Sequence, residues 1–258
     1  MRTRGHGAGW LSGWLAILVF VFAQSAFALS ALPRERDQDL IELLRTEATQ
    51  GHHAVGYHAA REKLFGELHL VKVGSEYGVL DVYCEKTFVA SDFRNGDSAP
   101  GPNTIPEDKV VNAEHTWPQS RFSGAADKGT QKCDLHHLFP TDNQMNSIRG
   151  NFKFGEVDIP KVALKCPISK LGQVSHASGE FFEPPSRHKG NVARALLYFS
   201  VRYKIHIDPV EEKFLKKWNV EDPVDAFEKQ RNDRIQQIQG NRNPFVDHPE
   251  LADAISDF

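Results

Sequence analysis

Asn112-Ala113-Glu114-His115-Thr116-Trp117-Pro118 opens the stretch that decides the fold, and Asp134-Leu135-His136-His137-Leu138-Phe139-Pro140 closes it, followed by Thr141 to Asn151. Val110 and Val111 lead into the first arm. A polar, glycine-containing excursion from Ser123 to Thr130 separates it from the second. Both arms read as short strands joined by a long loop. Pro140 is expected to stop the second strand. Thr141 or Asp142 can then cap a short helix with Met145 and Ile148 three residues apart on one face, and Gly150 ends it. The local order is strand, loop, strand, helix.

Outward from this stretch the chain reads as mostly helical. Asp37 to Leu70 carries two helical stripes, Leu40/Ile41/Leu43/Leu44 and Ala59/Lys63/Leu64/Leu68. Val79 to Cys84 and Thr87 to Val89 read as a strand or strand pair, and Ser91 to Pro106 as a loop. Lys165 to Pro185 reads as irregular. Helices are expected over Gly190 to Tyr203, Val210 to Trp218 and Val224 to Ile238, with Gly240-Asn241 ending the last. The class is α+β, a helical body with a small β-hairpin inserted into it.

Arg2 and Arg4, an apolar run from Trp14 to Phe22, and Ala26-Phe27-Ala28 make residues 1–28 a secretory leader, leaving residues 29–258 as a single domain. Export to the periplasm or medium follows. The three cysteines, Cys84, Cys133 and Cys166, then predict one disulfide and one leftover thiol, with the pairing open. Their spacing suits no cysteine-based zinc site. His52, His53 and His58 read as packing or surface residues. The net charge is −3, and loss of the two leader arginines makes the remainder more acidic. A polyanion could then be met only by local basic patches. Two are visible: Arg121, Lys128, Lys132, Arg149 and Lys153 around the central stretch, and the run Arg187, His188, Lys189, Arg194, Arg202, Lys204.

The sequence E-H-T-W-P-Q-S from Glu114, followed by D-L-H-H-L-F-P-T-D-N-Q-M-N-S-I-R-G-N-F from Asp134, resembles the bacterial secreted and periplasmic endonuclease I family. These are His-Me finger (ββα-metal) nucleases. Glu183-Pro184-Pro185, Gly190 to Arg194 and Gln239 to Val246 extend the likeness over about Tyr57 to Leu251. The resemblance implies a ββα-metal motif at about residues 110–152 inserted in the helical body. It also implies a monomeric endonuclease that hydrolyses DNA, and RNA as a second substrate, with low sequence specificity and 5′-phosphate ends. Glu114 and Asn146 match the ligands of one Mg²⁺ ion, a place Mn²⁺ or Ca²⁺ can also take, and His115 matches the general base. The chain departs from its relatives in two ways. Some of them carry a denser set of disulfides. Close ones have a longer loop after the Glu-His pair, with an Arg that contacts the scissile phosphate. Here Lys128, Arg149 and Arg194 are the candidates for phosphate contact.

The chemistry fits those residue types. Phosphodiester hydrolysis needs an activated water, neutralised phosphoryl oxygens and help for the leaving oxygen, and a single hard cation serves the last two. Mg²⁺ favours oxygen donors and asks for one or two from the protein. A neutral histidine, with its other nitrogen held by a neighbour such as a carbonyl of the second strand, suits the base. Asn143 and Asn151 compete with Asn146, Asn143 as a helix cap. Asp134 either orients His115 or begins the strand, and His136 and His137 alternate across it, so at most one faces the site. Two rival readings stand. One is a non-catalytic metal- or nucleic-acid-binding protein of the envelope. The other is a zinc hydrolase built on the many histidines.

Overall fold

A computed structural model of the chain describes residues 33–123 and 127–258; the expected leader, residues 1–28, lies outside them. Helix α1 (Pro33–Thr49) buries Leu44 and Ala48. Helix α2 (Tyr57–Lys63) runs into a wider turn, Leu64–Leu68, that buries Leu64, Phe65 and Leu68. A meander follows: β1 (Leu70–Val73), β2 (Glu76–Leu80) and β3 (Thr87–Val89) pair antiparallel in that order. Leu70, where the helical stretch was expected to end, belongs to β1. Gly74 and Ser75 instead turn the chain back so that Val73 faces Glu76, and Gly74 takes φ +62°, a conformation natural to glycine.

The central stretch forms β4 (Val111–His115), α3 (Lys128–Cys133), β5 (Leu138–Asp142) and α4 (Asn143–Arg149). β4 and β5 pair antiparallel, with Val111 opposite Asp142 and His115 opposite Leu138. Two expectations are corrected here. Asp134 to His137 is not part of the second strand, which begins at Leu138, because Asp134 caps a 3₁₀ turn over Leu135–His137 by accepting from the His136 N–H. Pro140 does not stop the strand; it sits in its middle. Thr116 N–H donates to His137 O and Asn143 N–H to Val110 O, so the antiparallel alternation puts Ala113 and Pro140 in a non-hydrogen-bonded pair. The missing proline N–H therefore points away from β4, as an edge strand allows. Asp142, rather than Asn143, caps α4, accepting from the N–H groups of Gln144 and Met145.

Past the motif, β6 (Lys153–Phe154), β7 (Ile159–Pro160), β8 (Lys170–Gln173) and β9 (Phe181–Glu183) form a small sheet in the order β6-β9-β8-β7. The Lys165 to Pro185 segment is thus not irregular. It buries Leu171, Phe181 and Phe182, a signal too short and too widely spaced to read as strands beforehand. α5 (Lys189–Tyr203) runs through the centre, buried along most of its length, and packs on α6 (Pro209–Glu221) and α1. α7 (Ala226–Gln239) and α8 (Pro244–Asp247) close the body. Gly240 ends α7 at φ +89°, against Gly51 at φ +77°. A Cβ on Gly51 would lie 2.7 Å from the Gly240 carbonyl oxygen, so neither tolerates a side chain.

Two apolar clusters flank the β4–β5 hairpin. One gathers Trp117, Phe199, Leu215 and Trp218 around α5 and α6. The Trp117 and Phe199 rings stack with centroids 5.2 Å apart. The other gathers Leu64, Phe65, Val111, Leu138 and Ile235. Cys84 and Cys166 form the disulfide, and Cys133 is a buried thiol. Among the described residues no helix is long and apolar enough to cross a membrane.

The basic run on α5 is corrected as a surface patch. Arg194 is buried and pairs with Glu228 through Nε (2.8 Å) and Nη2 (2.5 Å). Arg202 is buried against Asp134, and Lys189 is held by Glu183 at 2.7 Å. Apolar neighbours explain this, since a charge on a buried helix must find a partner. Removing one member of a buried pair costs about 3–5 kcal/mol, and in a chain of this size 1 kcal/mol moves the melting temperature by about 2–4 °C. Arg194→Met should therefore melt roughly 10 °C lower by circular dichroism. Its DNA affinity below the transition should be unchanged, and weakened binding by a folded variant would restore a phosphate role.

Candidate active site

Glu114 and His115 are the last two residues of β4, where the chain leaves the hairpin through Trp117 and Pro118. At this strand end both line one cleft of about 630 Å³, together with Asn112, Asn146, Arg149 and Asn151 of the motif and Tyr57, Arg61 and Asp108 from outside it.

Glu114 is buried, and its Oε1 carries two partners. Tyr83 Oη donates to it at 2.8 Å, and Arg149 Nη1 lies 2.9 Å away. Burial pushes the carboxyl up, and Arg149 and the Tyr83 hydroxyl pull it back in part. Both contacts leave Oε2 open. Arg149 sits on the last turn of α4, with Nη1 donating to His115 O at 3.0 Å and Nη2 to Thr116 O at 2.5 Å. Its guanidinium carbon lies 4.4 Å from the centre of the Phe154 ring. Arg149, read from sequence as a phosphate contact, thus has both Nη groups committed to the protein, its Nε buried, and is 1% exposed.

His115 donates through Nε2–H to the Lys132 carbonyl (3.1 Å), and its Nδ1 accepts from the Gln119 side-chain amide at 3.4 Å. The anchoring carbonyl therefore belongs to α3, not to the second strand. A carbonyl cannot donate, so the neutral ring carries its proton on Nε2 and leaves Nδ1 basic. Burial lowers the pKa to about 3, assisted by the neighbouring His137 ring. His115 is therefore neutral at physiological pH.

Asn146 lies on α4, one turn before Gly150. Its Nδ2 donates to Asn112 Oδ1 at 2.7 Å and to Ala113 O at 3.3 Å, which leaves Oδ1 as the open end of the amide. The open oxygens of Glu114 and Asn146 are hard donors of the kind Mg²⁺ prefers. The donor set fits a hard divalent cation. A zinc site does not emerge: among the described residues the one group with metal-like spacing is Asp81, Cys84 and Cys166, whose thiols are already joined.

Of the remaining candidates Asn151 also lines the cleft, and the others lie elsewhere. Asn143 donates to the Asp108 carbonyl at 2.9 Å, and Asn151, past the end of α4, reaches Ser120 Oγ at 3.4 Å. Lys128 opens α3 on the exposed side and does not line the cleft. Asp134 does not touch His115. It accepts from Tyr198 (2.8 Å), Tyr203 (2.7 Å) and Gln239 (2.8 Å), tying the entrance of β5 to α5 and α7. Burial works against its charge, but Arg202 and these donors overcome it, and the carboxyl stays far below the ordinary range. His136 turns to the Asn241 carbonyl (3.2 Å) and the Tyr198 ring, away from the cleft.

Sequence reasoning missed several participants. Asn112 was readable, because it precedes Glu114 by two and strand alternation puts both on one face. Tyr83, Lys132 as a carbonyl, Tyr57 and Arg61 come from distant segments and left no local signal.

The family model described as Endonuclease I matches residues 38–250, which span the cleft and both halves of the motif. The chain is 40% identical over 166 residues to an extracellular ribonuclease of Bacillus amyloliquefaciens, covering 56% of this chain and 53% of that protein. It is 33% identical over 115 residues to an extracellular deoxyribonuclease of Aeromonas hydrophila, covering 44% and 48%. A periplasmic deoxyribonuclease of the same organism is 30% identical over 124 residues, covering 48% and 51%. The chain spans about half the length of the curated relatives it matches. With the family model matched along most of its length and the ββα arrangement at its centre, the chain belongs to the endonuclease I family.

Proposed function

We propose that this chain is an exported, Mg²⁺-dependent endonuclease that hydrolyses phosphodiester bonds of DNA, and of RNA as well, with little sequence preference. The observation that carries the reading is the neutral His115, with its basic Nδ1 in the same cleft as the open oxygens of Glu114 and Asn146. Relatives named as ribonucleases and as deoxyribonucleases support both substrates, and their extracellular and periplasmic names support export. The exported part in this reading is residues 29–258, one monomeric domain behind the 1–28 leader.

In this mechanism His115 Nδ1 takes the proton of the water that attacks phosphorus. The Lys132 carbonyl fixes the ring and its tautomer, and Gln119 sits where it can hold the water's approach. When bound by Glu114 and Asn146, Mg²⁺ would supply charge neutralisation at the phosphoryl and leaving oxygens. Arg149 and Tyr83 hold the Glu114 carboxylate so that Oε2 faces the cleft, and Asn112 holds the Asn146 amide so that Oδ1 does. The 3′ oxygen leaves and the product end carries the 5′-phosphate. Contacts to backbone phosphates carry little sequence information, which explains the low specificity.

A plasmid-nicking assay with and without EDTA tests the reading. His115→Ala removes the base, a loss typically worth about 10²–10⁴-fold, while the fold and DNA binding should survive. A folded His115→Ala that nicks at the parental rate, or nicking unaffected by EDTA, would sink it. DNA binding without nicking by the parental chain would favour the non-catalytic envelope protein instead.

A second outcome concerns Asn112. Partners that orient a ligand are typically worth about 10–100-fold in metal affinity. Mg²⁺ titration calorimetry should show Asn112→Leu binding more weakly by at least about tenfold, while Asn112→Asp, which keeps the acceptor oxygen, holds its affinity. Equal affinity in all three would remove Asn112 from the account.

A further inference from the structure

The cleft has a shortage of positive charge. Among the described residues two arginines line it, and one of them, Arg149, is paired with Glu114 and has both Nη groups on backbone carbonyls, with its Nε buried away from the cleft's solvent. His115 is neutral. Arg61 is the other. It projects from the middle of α2 across from the hairpin, and its Nη2 pairs with Asp108, just before β4. Among the described residues no second acid or carbonyl holds Arg61, and its side chain is 18% exposed, whereas the Asp108 side chain is 54% exposed. The Asp108 backbone, in contrast, is pinned by Asn143, which donates to its carbonyl at 2.9 Å.

An ion pair with one partner half in water holds by at most about 1 kcal/mol. A bound phosphate offers Arg61 a bidentate acceptor in a more enclosed place, a stronger arrangement than an exposed carboxylate. We infer that Arg61 is the phosphate clamp of the cleft, with Asp108 as an exchangeable counter-ion that a backbone phosphate of the nucleic acid displaces. This rests on the nuclease reading and deepens it. It answers how an acidic chain meets a polyanion: the charge sits capped until substrate arrives.

The two residues must then respond with opposite signs. In a His115→Ala background, which binds without cutting, fluorescein-labelled single-stranded DNA is titrated at fixed Mg²⁺ over a KCl series. Arg61→Gln should weaken binding about tenfold and lower the slope of log affinity against log salt by about 0.7, the share of one phosphate contact on a single strand. Arg61→Lys should keep the slope. Asp108→Asn, which uncaps Arg61 and removes a like charge, should tighten binding by about two- to fivefold. A pair with a merely structural role predicts weakening or no change in both and an unaltered slope. Asp108→Asn binding more weakly, or a folded Arg61→Gln with the parental slope, overturns the inference; if Arg61→Gln does not fold, the Asp108→Asn result still decides. The chain with His115 intact is assayed for plasmid nicking in parallel. Nicking with unchanged slopes removes the clamp alone, while absence of both nicking and DNA binding removes the nuclease reading and the clamp with it.

Discussion

The buried contact between Arg149 and Glu114 is the constraint on which the site depends. Arg149 bridges α4 to the end of β4 through the Glu114 carboxylate and the carbonyl oxygens of His115 and Thr116. One side chain thereby fixes three things: the depth of Glu114, the direction in which the strand leaves the hairpin, and the rotation of α4 that brings Asn146 to the cleft. Such a pair gains little net stability over apolar packing, but breaking it strands a charge in the interior at a cost of about 3–5 kcal/mol. Its value lies in specifying one arrangement. The Tyr83 hydroxyl adds to this by saturating the same carboxylate oxygen, so the other stays turned to the cleft.

The same economy runs through the molecule. Arg194 with Glu228 and Arg202 with Asp134 are internal pairs that join elements far apart in sequence, and Lys189 with Glu183 is a nearer one. Most of the basic residues that look available to a polyanion are therefore occupied, and the net charge of −3 is not a paradox to be solved by a hidden basic face. In the proposed function, attraction of a phosphodiester falls to the few groups at the cleft, aided by the cation that Glu114 and Asn146 would hold.

Much of the fold was legible. The long helices α5, α6 and α7 follow from apolar periodicity and from their caps, Asp208, Asp225 and Gly240. The strand–helix order of the motif was legible too, but not its register. A proline normally ends a strand, and that Pro140 faces away from its partner depends on pairing that no local window contains. The sheet made by β6 to β9 escaped notice because its strands are two to four residues long. In the site, Glu114, His115 and Asn146 were legible because their motif is local. Arg194 and Asp134 were misplaced for the opposite reason: a charged residue reads as solvated until its buried partner is known, and those partners, Glu228 and Arg202, lie 34 and more than 60 residues away. Arg61 and Tyr83 reach the cleft only through tertiary packing.

His115 is read as a neutral base with its proton on Nε2 and an unprotonated Nδ1 that accepts from the Gln119 amide at the cleft. Nitrogen-15 NMR of histidine-labelled protein reads this directly, since the two ring nitrogens of each tautomer and of the imidazolium resonate apart. The account predicts a His115 signal, assigned by its loss in His115→Ala, that shows protonated Nε2 and bare Nδ1 and does not titrate between pH 8 and 5, because burial holds its pKa at about 3. A doubly protonated ring near neutral pH, or a proton on Nδ1, would contradict it.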